Sequence, residues 1–371
     1  MLQTLSTQYA QIQLLEPVYD KESLDPCVTR VYTLGIQFLQ DAARYYGFKS
    51  YRRFWHILAK PPNVDLQDRV LSIKNAISDL QNQRGIQDSI RLGAIDMKVN
   101  VLVEGQLLEL SQLLETVDED LFARLRDYEN ALETFERIKR LEPFDFSNKL
   151  LSNEAFGRWK AETNSSFLVI RGKTVAPYNT SLSWVSPAAT GFIRQHEGLS
   201  PCATSHTPSS GNQRDECLLF YCCQDARADL QDPAMPLLPS TVVSSLIYQL
   251  LRTTKAKAIL NDSNQFRQLK FDIQKSGSKA NNDDHRSRLF QLHDIFHTLL
   301  GKLSFNKVYL VLDRPDCMRG HDTALGLLLK LMETFPRGLK ILVVGPKISP
   351  EFLDDSREKR AFLELVFDQD S

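Results

Sequence analysis

Net charge is nearly absent from this chain: 45 Lys and Arg stand against 46 Asp and Glu, leaving −1 over 371 residues. Domains that hold nucleic acid by bulk charge carry a basic excess, so a nucleic-acid partner is not expected. Long apolar runs are missing too. None approaches the ~18–20 residues that span a bilayer, and the longest, such as Val308–Leu312, have the length of a strand. Met1 to Leu5 offer no basic stretch leading into an apolar one, which argues against a secretory signal. Cysteine is scarce, with six residues at 27, 202, 217, 222, 223 and 317, too few for a disulfide framework. Together these absences lead us to expect a reduced, soluble, cytoplasmic protein without a transmembrane segment.

What is present can build a large core. Hydrophobic residues make up 42% and charged ones 25%, which excludes global disorder, and the length suits two or three domains. The texture changes along the chain. The first 142 residues hold four prolines and residues 171–240 hold seven, as expected of a helical first part joined to a loop-rich second part. Val31, Leu34, Phe38, Ala42 and Tyr45 recur at helical spacing and predict a helix over Val28–Tyr46, closed by Gly47. Trp55, Ile57 and Leu58 mark a second, short helix before Pro61-Pro62. Two longer stripes follow, Leu66 to Leu80 and Leu107 to Ile138. Gly85, Gly93 and Gly105 interrupt any continuous heptad seam, so the plainest reading is the core of a helical bundle.

Beyond residue 150 four short apolar runs, Phe167–Ile170, Cys217–Cys222, Val308–Leu312 and Leu339–Val344, have no polar alternation. Strands buried on both faces of a parallel sheet read this way. Helix candidates at Thr241–Arg252, Ser287–Leu303 and Thr323–Phe335 lie between them. The expected architecture is an α-helical domain over 1–150, followed over 151–371 by an α/β domain of P-loop type with a mainly parallel sheet.

The chemistry suggested by this order is nucleotide binding. A strand leads into Gly172-Lys173-Thr174, and a later strand ends in Asp313. In P-loop proteins a glycine-rich loop cradles phosphates, a lysine neutralises them, a Ser/Thr holds Mg²⁺ and a strand-end Asp completes the metal site. The residues fit poorly. Ending the loop at Thr174 requires Phe167 as its first glycine and strand residues as the loop. Starting it at Gly172 puts Tyr178 in the lysine position and Asn179, followed by Thr180, in the hydroxyl position, with Pro177 lacking an N–H.

The order of motifs resembles fungal NACHT-type STAND proteins, signalling NTPases related to animal and plant NLRs. Asp25–Tyr46 with Phe54-Trp55 and Ala59–Pro62 is similar to the helical region preceding NACHT in that family. Phe156–Trp159, Phe167–Thr174, Leu218–Cys222, Ser244–Leu251 (SSLIYQLL), Val308–Met318 (VYLVLDRPDCM) and Leu339–Lys347 (LKILVVGPK) resemble the strands and motifs that follow. The resemblance implies a degenerate nucleotide site. Gly172, Lys173, Thr174 and Thr180 would be its remnants, and Asp313 and Asp316 would match the acids of the Walker B stretch. Cys317 replaces the next acid, and Val344-Gly345-Pro346 stands where the family has Thr-Ser-Arg. It also implies a truncated relative or an early-ending gene model, because complete members continue into further helical domains and a repeat sensor. The expected function is therefore non-catalytic: a signalling or interaction protein with a decayed switch, self-associating or binding signalling proteins. The alternative is weak binding of ATP or ADP with Mg²⁺ through Asp313 and the backbone after Gly172. An ATPase using Lys173 and a membrane-perturbing helical domain are more distant readings.

Other constellations are weaker. Cys202, His206, Cys217 and Cys222 match no standard zinc spacing, and Cys217 and Cys222 should face opposite sides of a strand. His293 and His297 lie one helical turn apart but outside any H-E-x-x-H pattern. Neither a catalytic residue nor a metal set is expected.

Overall fold

The computed structural model describes residues 21–47, 62–116, 121–142, 144–173, 182–201, 215–223, 237–277, 284–335, 337–357 and 361–368. The short helix expected around Trp55 lies outside them. Compactness divides the chain between Asn100 and Val101, within a single long helix.

The first unit is helical. Helix α1 (Lys21–Gly47) begins seven residues before the expected start and carries Pro26 inside it. Helix α2 (Pro62–Leu113) runs unbroken through Gly85, Gly93 and Gly105. A glycine costs a helix only about 1 kcal/mol relative to alanine, which other residues of a long helix can offset. Val31 and Phe38 of α1 bury against Val70, Ile73, Ala76, Ile77 and Leu80 of α2, which is the stripe visible in the sequence. Arg30 faces Asp79 and Arg69 faces Asp41, so the two helices run antiparallel.

The second unit is an α/β domain. Its five strands are β1 (Ser166–Lys173), β2 (Glu216–Cys222), β3 (Lys307–Asp313), β4 (Leu339–Val344) and β5 (Phe362–Asp368), and they form one sheet in the order β2-β3-β4-β1-β5. All four pairings are parallel. The central runs have no polar alternation because both faces are covered. One face, carrying Leu168, Ile170, Leu218, Phe220, Tyr309, Val311, Leu342 and Val344, lies beneath α3 (Leu121–Lys139), α4 (Glu154–Ala161) and α5 (Pro187–Gln195). The opposite face packs on α6 (Pro239–Leu251), α10 (His321–Thr334) and α11 (Pro350–Arg357). Phe167 lies 5.9 Å from Phe352 of α11. Between α6 and β3 come α7 (Lys257–Asn261), α8 (Ser263–Gly277) and α9 (Asp284–Leu303).

The sequence stripe over α3 was read as bundle core. Instead Phe122 and Leu125 join the core of the sheet, with the Phe122 ring 5.4 Å from that of Phe220. An amphipathic period reveals an apolar face but not what covers it. The end of α2 and the turn after it belong here as well, through Glu109–Lys270 and Glu115–Arg288 ion pairs to α8 and α9.

Two polar residues secure the sheet. Gln249 of α6 is fully buried and clamps both backbone groups of Phe220, accepting from its N–H at 3.0 Å and donating to its carbonyl at 2.7 Å. Strand β2 lies at a sheet edge, so this side chain supplies the hydrogen bonds that a sixth strand would. Gly338 turns the chain into β4 at φ 84°, and a Cβ there would lie 2.5 Å from the Asn306 carbonyl oxygen. No described helix is long and apolar enough to cross a membrane.

Candidate functional site

In parallel α/β sheets ligands bind outside the carboxyl ends of the strands, and the chemistry-bearing residues of this chain gather there. The ends of β1, β3 and β4 are tied together: Arg314 donates its N–H to the Val344 carbonyl at 2.7 Å, and Gly345 donates to Ile170 at 3.1 Å. Asp313, the last residue of β3, thereby comes to the centre of this edge with no exposed surface.

Three elements meet at its carboxylate. Tyr128, from the middle of α3, places its hydroxyl 2.5 Å from Asp313 Oδ2 and 3.1 Å from Ser186 Oγ. A phenol has one proton. Given to the carboxylate, it leaves the serine hydroxyl to complete the second contact. Ser186 stands just before α5, with Pro187 at the first helical position, where proline's missing N–H costs nothing. Asp313 Oδ1 is buried with no hydrogen-bond partner, as is the Trp184 indole N–H. Burial pushes the Asp313 carboxyl up to about 7, against the lowering effects of the Tyr128 bond and nearby Arg314. Burial raises Tyr128 well above its ordinary range, with the Asp313 charge adding to it. The Cys222 and Cys223 thiols are raised for the same two reasons, so neither is poised as a thiolate.

The residues singled out from the sequence are only partly assembled here. Gly172 and Lys173 are the last two residues of β1, paired with Phe367 and Asp368. Thr174 and Thr180 lie outside the described residues. A Cβ on Gly172 would come within 3.0 Å of the Trp184 ring and the Val185 side chain, so these apolar groups fill the space beside the strand end. Asp316 is close in sequence to Asp313 but committed elsewhere. Arg314, held at φ 56° and ψ 48°, turns its guanidinium back in a two-pronged ion pair at 3.0 and 2.9 Å, both side chains buried. A bidentate pair of this kind satisfies the carboxylate that a metal would otherwise need. Gly345 leaves room for it, since a Cβ there would meet Asp316 Oδ1 at 3.0 Å.

Magnesium nucleotide is the group that the family resemblance implies. The described residues do not fit it. The strand-end carboxylate is capped by a phenol, the second acid is neutralised by an arginine, and an indole packs against Gly172. Among the described residues the histidines and cysteines form no alternative centre. His293 Nε2 lies 3.2 Å from the Leu327 carbonyl, and the His297 ring packs on Phe335. Cys222 sits on the α3 face of β2, and Cys217 points the other way. Cys202 and His206 are outside the described residues, and no group of three or more potential metal ligands occurs among those described.

Nothing in the sequence marks Tyr128, Trp184 or Ser186 as site residues. Tyr128 looked like one more apolar position in a helical stripe. The one local signal was Ser186-Pro187, a common start to a helix.

The fold therefore defines the class: a helical N-terminal region followed by an α/β region whose parallel five-stranded sheet has the layout of a P-loop-like domain. Residues 1–92 match the family model described as a domain of unknown function, DUF7708, which is found in fungal NACHT-containing proteins. No curated protein and no solved structure matches the chain.

Proposed function

We propose that this chain is a non-catalytic, STAND-like signalling or interaction protein of the fungal NACHT type, whose nucleotide switch has decayed. The observation that carries this reading is Asp313, fully buried and capped by the chain's own Tyr128. A ligand shifts a two-state protein only through contacts that differ between the states. In a nucleotide switch the γ-phosphate and its cation supply them. Here the acid that would reach the cation is engaged by protein, so the differential contacts fall to other proteins, either a second copy or a signalling partner. The DUF7708 match over residues 1–92 supports this reading, because that domain is found in fungal NACHT-containing proteins.

Calorimetric titration of the full chain with Mg-ATP and Mg-ADP tests the proposal. The expected result is no binding tighter than ~1 mM, about −4 kcal/mol. Micromolar binding would overturn it in favour of a nucleotide-dependent switch, with Lys173 and Asp313 the first residues to exchange.

A further inference from the structure

We propose that the Tyr128 hydroxyl is a latch that fastens α3 to the carboxyl edge of the sheet, joining Asp313 and Ser186 where a P-loop protein would hold its divalent cation. The inference goes beyond the preceding reading: it names the device that keeps this edge closed and rests on local geometry alone.

Three elements distant in sequence converge on one buried point, α3 through Tyr128, the start of α5 through Ser186 and the end of β3 through Asp313. A hydroxyl-bearing side chain before a helix, facing a carboxylate at a strand end, is an oxygen-ligand pair of the kind that suits a hard cation. The phenol hydroxyl is within hydrogen-bond distance of both. Other contacts hold the same helix, among them a side-chain hydrogen bond between Arg124 and Tyr221 of β2. Phe122 packs on Phe220, and Glu129 accepts a two-pronged ion pair from Arg194 of α5, with Nη2 to Oε2 at 2.6 Å. Tyr128 and Glu129 thus both tie α3 to α5, and of these two Tyr128 also reaches the carboxyl end of β3. A cation would bring two positive charges to Asp313, whereas a phenol brings only a dipole. Asp313 Oδ1 has no hydrogen-bond partner among the described residues. A closed edge of this kind needs no ligand, and opening it means lifting α3.

Hydrogen exchange on the full-length Tyr128→Phe protein, which removes the hydroxyl and keeps the ring, tests the latch. Amides of residues 121–139 should exchange at least about tenfold faster than in the wild type, the scale of one charge-assisted hydrogen bond, while amides of β3 and β4 stay protected. Ser186→Ala should show a smaller increase in the same segment. Unchanged exchange in α3, or an equal rise throughout the α/β unit, would overturn the latch and leave Tyr128 an ordinary core residue. Millimolar Mg²⁺ alone should leave wild-type α3 exchange unaltered. A tenfold response would make Asp313 and Ser186 a cation site and sink the proposal. None of these outcomes depends on nucleotide titration, so failure of the latch and failure of the signalling reading are separable.

Discussion

Replacing Asp313 with asparagine should remove a pH dependence that this one carboxyl builds into the fold. Burial pushes the group up to about 7 in the folded chain, against about 3.9 in an unfolded one. A folded-state value above the unfolded one means that the native state holds the proton more tightly. The resulting stabilisation is therefore complete below about pH 4 and lost as pH rises through 7. At 1.36 kcal/mol per unit the whole effect is about 4 kcal/mol, of which about 3 kcal/mol falls between pH 5 and pH 8. Asparagine does not titrate, and its amide oxygen can still accept the Tyr128 proton. Urea denaturation of both proteins at intervals from pH 5 to 8, followed through buried Trp159 and Trp184, gives the difference directly. Groups such as His196, lowered by its own burial, are common to both chains and cancel. The wild type should lose about 3 kcal/mol relative to Asp313→Asn across that window. Parallel stability curves would refute the reasoning, for they would mean that Asp313 is charged throughout and compensated by a cation.

Two further substitutions probe the scaffold of the site. Gln249→Leu leaves the Phe220 N–H and carbonyl unpaired at a buried sheet edge and should cost about 2–4 kcal/mol in denaturant midpoints, whereas a loss under 1 kcal/mol would show that water replaces the clamp. Gly338→Ala introduces both a positive φ and a Cβ at 2.5 Å from a carbonyl oxygen, so melting should fall by the equivalent of about 2–4 kcal/mol. Gly326→Ala in α10, where a Cβ meets open space, should instead be neutral or stabilise by up to about 1 kcal/mol.

The sequence was informative where burial was symmetrical. Strands β1 to β4 stand out because parallel strands covered on both faces have nothing polar to alternate with. Strand β5 escaped because most of its residues are only half-buried or exposed. Glu364 interrupts its apolar run and forms an ion pair with Arg171. Helix α8 escaped for a related reason, as it buries only Leu269, Ile273 and Ser276 and leaves Phe271 exposed. The period of α3 was clear, but nothing local distinguishes a helix that covers a sheet from one inside a bundle. The site was less legible than the fold. Asp313 could be placed at a strand end, yet its proton donor lies on another element, and no spacing rule connects Tyr128 to it. Asp316 looked available because the backward turn of Arg314 depends on a left-handed backbone position, which arginine gives no reason to expect.

The strand order carries a consequence for biosynthesis. Strand β1 lies inside the sheet, yet both of its neighbours are made long after it: Phe167 pairs beside Ile341 of β4 and Phe362 of β5. A chain emerging from the ribosome exposes this very apolar strand through the synthesis of β2, β3 and all the helices between, with no edge to join. Non-local parallel pairing of this kind is slow to form and prone to aggregation while it waits. The α3, α4 and α5 helices are finished early and cover the same face that β1 shares with its future neighbours. They can act as an internal chaperone for β1 until the last strand arrives, and shortening the chain ahead of Phe362 would leave β1 as a bare sheet edge.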